Sequence, residues 1–249
     1  MLRKKIFGQP LQAAFSNRGK EILRVEALSD AVFAFSVSLL VAALEVPQTF
    51  EELITIIKGA LPFFATVALL FLLWYQQYLF FRYYGLNDRI TIILNLAYLA
   101  LILFYVYPLK FLFAILISSW TGINLFPKAA EKGLIILSNH DFPYLIILFG
   151  AGYFFIWLLI FLMYSRAAFF AKKLQLNGYE ILFTQKEKRG ALWNALVAVA
   201  SIMLALSGAA FLSGLCYLCI PLLLFINQRI FKQQLKKPTA VKVNIQDKK

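Results

Sequence analysis

The chain is predicted to be all-α and embedded in a membrane, with six transmembrane helices. Three observations lead there. Of 249 residues, 61% are hydrophobic and only 15% charged, more apolar surface than a soluble core of this size can hide. Six apolar runs are each long enough to cross a bilayer core about 30 Å thick, which takes about 20 helical residues. Finally, 21 of the 25 Lys and Arg fall on one side of those runs, the asymmetry expected of cytoplasmic loops. The net charge of +13 therefore reflects topology, and no nucleic-acid partner is expected.

Residues 1–26 form a basic segment with six Lys or Arg and no apolar stretch before Ala27, which does not suit a cleavable signal. The six-helix domain is expected over 27–231, with spans near 27–46, 61–82, 90–118, 143–165, 191–209 and 212–231. The third is long enough to tilt or project, and Pro108 predicts a kink. Little more than Gly208, Ser213 and Gly214 separates the fifth from the sixth; one long helix followed by a re-entrant segment is the alternative division. The charged stretch 165–190 is expected to extend the fourth helix before Asn177-Gly178 turns it. Residues 232–249 form a Lys-rich tail, disordered or lying on anionic headgroups. Both termini are placed in the cytoplasm and the chain in the cell membrane.

The stretch Arg24 to Val41 asks for an explanation. Asp30 stands just inside an apolar run, where a carboxylate costs about 2.5 to 3.5 kcal/mol and is usually paired or faces water. At 100° per residue, Phe35 and Ala42 lie within about 20° of each other. Ala31, Ser38, Leu39 and Glu45 flank that stripe, while Val32, Ser36 and Leu40 lie opposite. Polarity alone does not choose a pore face, because small residues and Ser also serve close helix packing.

Arg24, Leu28-Ser29-Asp30 and Ser38-Leu39-Leu40, followed by Trp74, Arg82, Asp88, Asn95 and Pro108 at family-like intervals, resemble the first three helices of the transmembrane protein 175 family. That resemblance covers about residues 20–110. It implies a passive, potassium-selective or weakly selective cation channel without a carbonyl filter loop. A single six-span unit would then form a homotetramer, with the four first helices around a central pore. Carried over, the constriction and filter are Phe35, Ser38, Leu39 and Ala42. Phe35 is larger than the aliphatic residue of the family pattern, Ala42 is smaller, and Ser38 replaces Thr. A narrow apolar ring can gate by dewetting, and a ring of hydroxyls can replace part of an ion's hydration shell.

Arg24, Ser29, Asp30, Trp74 and Asn95 are expected to form a structural network in which Trp74 and Asn95 donate hydrogen bonds and Arg24 acts at longer range. The alternative places Asp30 at the inner pore mouth. Glu45 is read either as an acidic ring at the outer mouth or as an ordinary interfacial charge. Monovalent cations, the bilayer and further copies of the chain are the expected partners. A secondary transporter is the alternative function, with Gly150 and Gly152 as a possible break in the fourth span.

No enzyme activity, cofactor or metal is expected. Cys216 and Cys219 have a metal-like spacing in an apolar span without His or acidic neighbours, and His140 with Asp141 suits a helix-capping loop.

Overall fold

The computed structural model describes residues 15–19, 21–42, 46–126, 135–138 and 140–236. Glu45, Asn139, Lys128, Lys132 and the tail beyond 236 lie outside them. The described residues form helices α1 (Arg24–Ala42), α2 (Phe50–Lys58), α3 (Ala60–Tyr84), α4 (Arg89–Thr121), α5 (Phe142–Phe169), α6 (Gly178–Leu206), α7 (Ala210–Leu215) and α8 (Ile220–Lys236), with a 3-10 turn at Cys216–Cys219 between α7 and α8. Six stretches are long and apolar enough to cross a membrane, with α2–α3 and α7–α8 each forming one of them.

Local chemistry explains the helix boundaries. Gly59 separates α2 from α3, and Gly85 closes α3 in the left-handed region at φ 56°, which favours glycine because it has no Cβ. Gly122 closes α4 in the same way. Asp88 caps α4, its side chain accepting from the Thr91 amide. Pro108 sits inside α4 without ending it; a proline there removes one backbone donor, which a long packed helix survives.

The charged stretch corrects one expectation. The fourth span ends at Phe169 rather than continuing to Asn177. Asn177 and Glu180 form a reciprocal capping box that starts α6 at Gly178, so Lys186, Lys188 and Arg189 belong to the fifth span. The final pair is a hairpin, not one long helix. Gly208 turns the chain at φ 86°, Ser201 donates to the Ser213 carbonyl at 2.9 Å, and Asn227 donates to the Lys186 carbonyl at 2.9 Å. Positions far apart on one strand of the hairpin thus meet their antiparallel counterparts on the other.

Gly150 and Gly152 do not break α5, which runs through both. They allow close approach. A Cβ on Gly152 would fall 2.1 Å from the Tyr105 ring, and one on Gly150 would fall 2.8 Å from Ile202. Tyr105 then donates to the Phe149 carbonyl at 2.6 Å. Before α5, Ser138 donates to the Asp141 carboxylate at 2.7 Å. This bond and the neighbouring His140 hold Asp141 below the usual carboxylate range.

The core runs between α1, α3, α4, α5 and the start of α6. A strap at residues 15–19 closes its basic end. Phe15 stacks on Tyr83 at 4.3 Å, and Arg18 pairs with the fully buried Glu180 at 2.8 Å. Glu180 also accepts from the Ser16 and Asn177 amides, so the buried carboxylate is satisfied on every side. Gly19 is required here: a Cβ would fall 2.5 Å from the Phe81 carbonyl oxygen. The strap leads into α1 and so fixes where that helix begins.

Candidate functional site

The candidate site is built on α1, whose two long faces differ. Val25, Ser29, Phe33, Ser36 and Leu40 are buried against α3 and α4. Ala27, Leu28, Ala31, Phe35, Ser38 and Ala42 are exposed, with Phe35 exposed by 56%. Among the expected constriction residues, Phe35, Ser38 and Ala42 share the bare face, while Leu39 is half-buried at its edge. The Ser38 hydroxyl donates to the Ala34 carbonyl at 3.0 Å. The Ser38 side chain is exposed.

At the basic end of α1 three helices meet through polar groups. Ser29 donates to the Val25 carbonyl at 2.7 Å and accepts from Asn95 at 3.1 Å. Gln77 donates both to Ser29 and, at 2.8 Å, to Asn95. The triangle is closed. All three residues are almost fully buried, and each hydrogen bond is worth most where the alternative is an unpaired group away from water. Gln77 did not stand out in the sequence, yet it bridges the other two. Its polar side chain in the middle of an apolar span, three positions after Trp74, was the available signal.

Asp30 lies one position beyond the triangle on a more exposed flank. It accepts from the Trp74 indole at 2.7 Å, and Trp74 stacks on Tyr78 at 5.5 Å. The acid thus has one strong donor, which offsets part of the cost of placing a charge at this depth. Arg24 is exposed at the first position of α1 and makes no hydrogen bond among the described residues. Glu26 steadies that end by accepting from the Leu23 amide at 2.7 Å.

Two further motif residues hold the bundle away from the exposed face. Arg82 donates to the Gly19 carbonyl at 2.8 Å, tying α3 to the strap. Asp88 pairs with Arg166 of α5 at 2.6 Å. Burial pushes the Asp88 carboxyl up, but the Thr91 hydroxyl and the Arg166 guanidinium outweigh it and hold the group below its ordinary range.

Cys216 and Cys219 are both free, and no group of three or more His, Cys, Asp or Glu among the described residues is placed to hold a metal.

Comparison with known proteins agrees with this geometry. Residues 24–105, which contain both faces of α1 and the polar triangle, match the family described as Endosomal/lysosomal potassium channel TMEM175. A protein of Marivirga tractuosa named as a potassium channel is 38% identical over 225 residues, covering 88% of this chain and 91% of that one. Among solved structures, a variant of the potassium channel MtTMEM175 in complex with a nanobody fusion superposes with a TM-score of 0.77 at 36% identity, covering 88% of this chain and 97% of the other. A TMEM175 homologue from Chamaesiphon minutus, described as a lysosomal potassium-selective channel, shares the fold at a TM-score of 0.53 and 18% identity, covering 82% of this chain. By identity and coverage together, this chain belongs to the TMEM175 family.

Proposed function

We propose that the protein is a potassium-conducting channel of the cell membrane, passing cations passively along the exposed face of α1 where four copies meet around an axis. One observation carries this reading. A helix flanked by two neighbours buries Ser29, Phe33, Ser36 and Leu40 but leaves Ala31, Phe35, Ser38 and Ala42 bare. A symmetric assembly closes such a face with further copies of itself. The Lys- and Arg-rich end of the bundle is then cytoplasmic, with both termini on that side.

The chemistry follows from the residues on the stripe. Phe35 forms the apolar constriction, where a narrow hydrophobic ring excludes water and resists ions. Ser38, nearly one turn further out, presents hydroxyl oxygens that are not consumed as acceptors by the helix, because its bond to Ala34 uses the hydroxyl hydrogen. Four such oxygens can replace part of a cation's hydration shell. Leu39 and Ala42 complete the outer layers. Ser29, Asp30, Trp74 and Asn95 hold α1 against α3 and α4 and do not contact the ion. Arg24 supports the same end electrostatically. The relatives are named as potassium channels, and no observation favours a secondary transporter.

Purified protein in liposomes with a potassium gradient provides the test. Passive, voltage-dependent flux without a second ion is the expected result, and Phe35→Ala raises it several-fold. Strict dependence on a co-transported ion would overturn the channel reading. Flux unchanged by Phe35→Ala would remove the constriction from this position.

A further inference from the structure

Lys110 does not follow the charge pattern of the chain. Most Lys and Arg lie at the cytoplasmic end of the bundle, whereas Lys110 stands inside α4 two residues past Pro108, toward the outer end. An ionisable side chain inside a span is costly and is generally retained for a purpose. Lys110 is half-buried, and its ammonium donates to the Leu40 carbonyl of α1 at 3.4 Å. No carboxylate among the described residues pairs with it.

The location of Leu40 gives this contact its meaning. Leu40 is fully buried, on the face of α1 opposite Phe35 and Ala42, and near the C-terminal end of the described helix. Aligned peptide dipoles make that end of a helix partially negative. In the proposed assembly four such ends surround the outer pore, an arrangement that attracts cations. Lys110 places a full positive charge against that end from behind. One helix diameter, about 10 Å, separates the ammonium from the conducting face, and charges act across that distance when screening is weak.

We propose that Lys110 is a positioning and throughput-setting residue, whose ammonium anchors the outer end of the pore helix through the Leu40 carbonyl and raises the electrostatic barrier to cations there. It acts through α1 and does not touch the ion. The assignment rests on the channel reading above and adds to it a brake built from a neighbouring helix.

The two roles of Lys110 separate under salt. Holding a helix by a direct contact is nearly indifferent to ionic strength, whereas a field acting over about 10 Å is largely screened at 1 M, where the Debye length is about 3 Å, and little screened at 0.01 M, where it is about 30 Å. Single-channel currents of wild type, Lys110→Met and Lys110→Arg in planar bilayers, at fixed potassium with ionic strength set by an impermeant organic salt, read the difference. Lys110→Met should carry about three times the inward current of wild type at low ionic strength, falling to near parity at high. Lys110→Arg keeps the charge and should match wild type throughout.

A ratio that stays constant across salt, or a Lys110→Arg current that matches Lys110→Met, overturns the assignment while leaving the channel intact. Absence of current from wild type overturns the channel reading and this inference together. If Lys110→Met does not yield the assembled protein, Lys110→Gln replaces it in the same series.

Discussion

Phe33 and Phe35 are two residues apart on one helix, as are Ser36 and Ser38, and each pair is split between opposite environments. Phe33 is 3% exposed and faces Tyr98 at 6.3 Å, whereas Phe35 is 56% exposed. Ser36 is fully buried and Ser38 exposed, although both hydroxyls donate to the carbonyl four residues earlier. The serines show that local satisfaction does not reveal which side of a helix faces a pore: a hydroxyl makes the same backward bond on either face. The phenylalanines show which side of α1 the neighbouring helices cover. Tyr98 of α4 covers the Phe33 ring, whereas Phe35 meets no ring among the described residues and stays exposed.

Substitutions can break this contrast, beginning with the largest expected effect. Phe33→Ala should cost about 3 kcal/mol of stability, the usual result of emptying a buried aromatic site, and should lower the thermal midpoint of the purified protein markedly. Phe35→Ala is its counterpart, with a change within about 0.5 kcal/mol for the isolated subunit even as flux rises. Equal destabilisation by both would mean that the bare face of α1 is packed in the working protein rather than open to ions.

Asn95→Leu comes next. It removes the acceptor of Gln77 and a donor to Ser29, leaving buried polar groups unpaired at about 1–3 kcal/mol. Combining it with Ser29→Ala should cost clearly less than the sum of the two single changes, since both break one triangle. Strict additivity in thermal unfolding would show that the three residues do not act as a unit.

Among the destabilising changes, the smallest effect belongs to the ion pair away from α1. Asp88 has its carboxyl held below the ordinary 3.8, so its contribution is complete above that value and is lost as pH falls through the lower native one. Asp88→Asn should cost about 1 kcal/mol near neutral pH. It should also flatten the part of the acid-stability profile that lies below the ordinary aspartate value. An unchanged acid limb would show that the Arg166 contact contributes nothing there.

Parts of the site were legible because membrane burial restricts the choices. Asp30 drew notice as a charge in an apolar run, and such a group takes the nearest strong donor; that donor is the Trp74 indole. Ser29, Trp74 and Asn95 were singled out instead by the resemblance to the family pattern. Gln77 was not, because one polar residue in a span is equally compatible with facing a helix, a cavity or a headgroup, and only the crossing of α1, α3 and α4 puts it between the other two. The start of α6 was misread because hydropathy averages over the charged turn at 186–189, whereas the Asn177–Glu180 capping box acts locally and begins the helix well before the apolar run.

The sequence alone determined how many times the chain crosses the membrane and which end of the bundle carries its positive charge. Span length and charge placement depend on bilayer thickness and on the cost of moving charge, and those constraints act on each segment separately. The partners did not follow from the sequence. That Gly152 admits the Tyr105 ring, that Arg18 in the strap satisfies the buried Glu180, and that Lys110 reaches the Leu40 carbonyl all depend on where helices cross. A crossing is chosen by packing and by hydrogen bonds between residues distant in the chain, and no periodicity within a single helix encodes it.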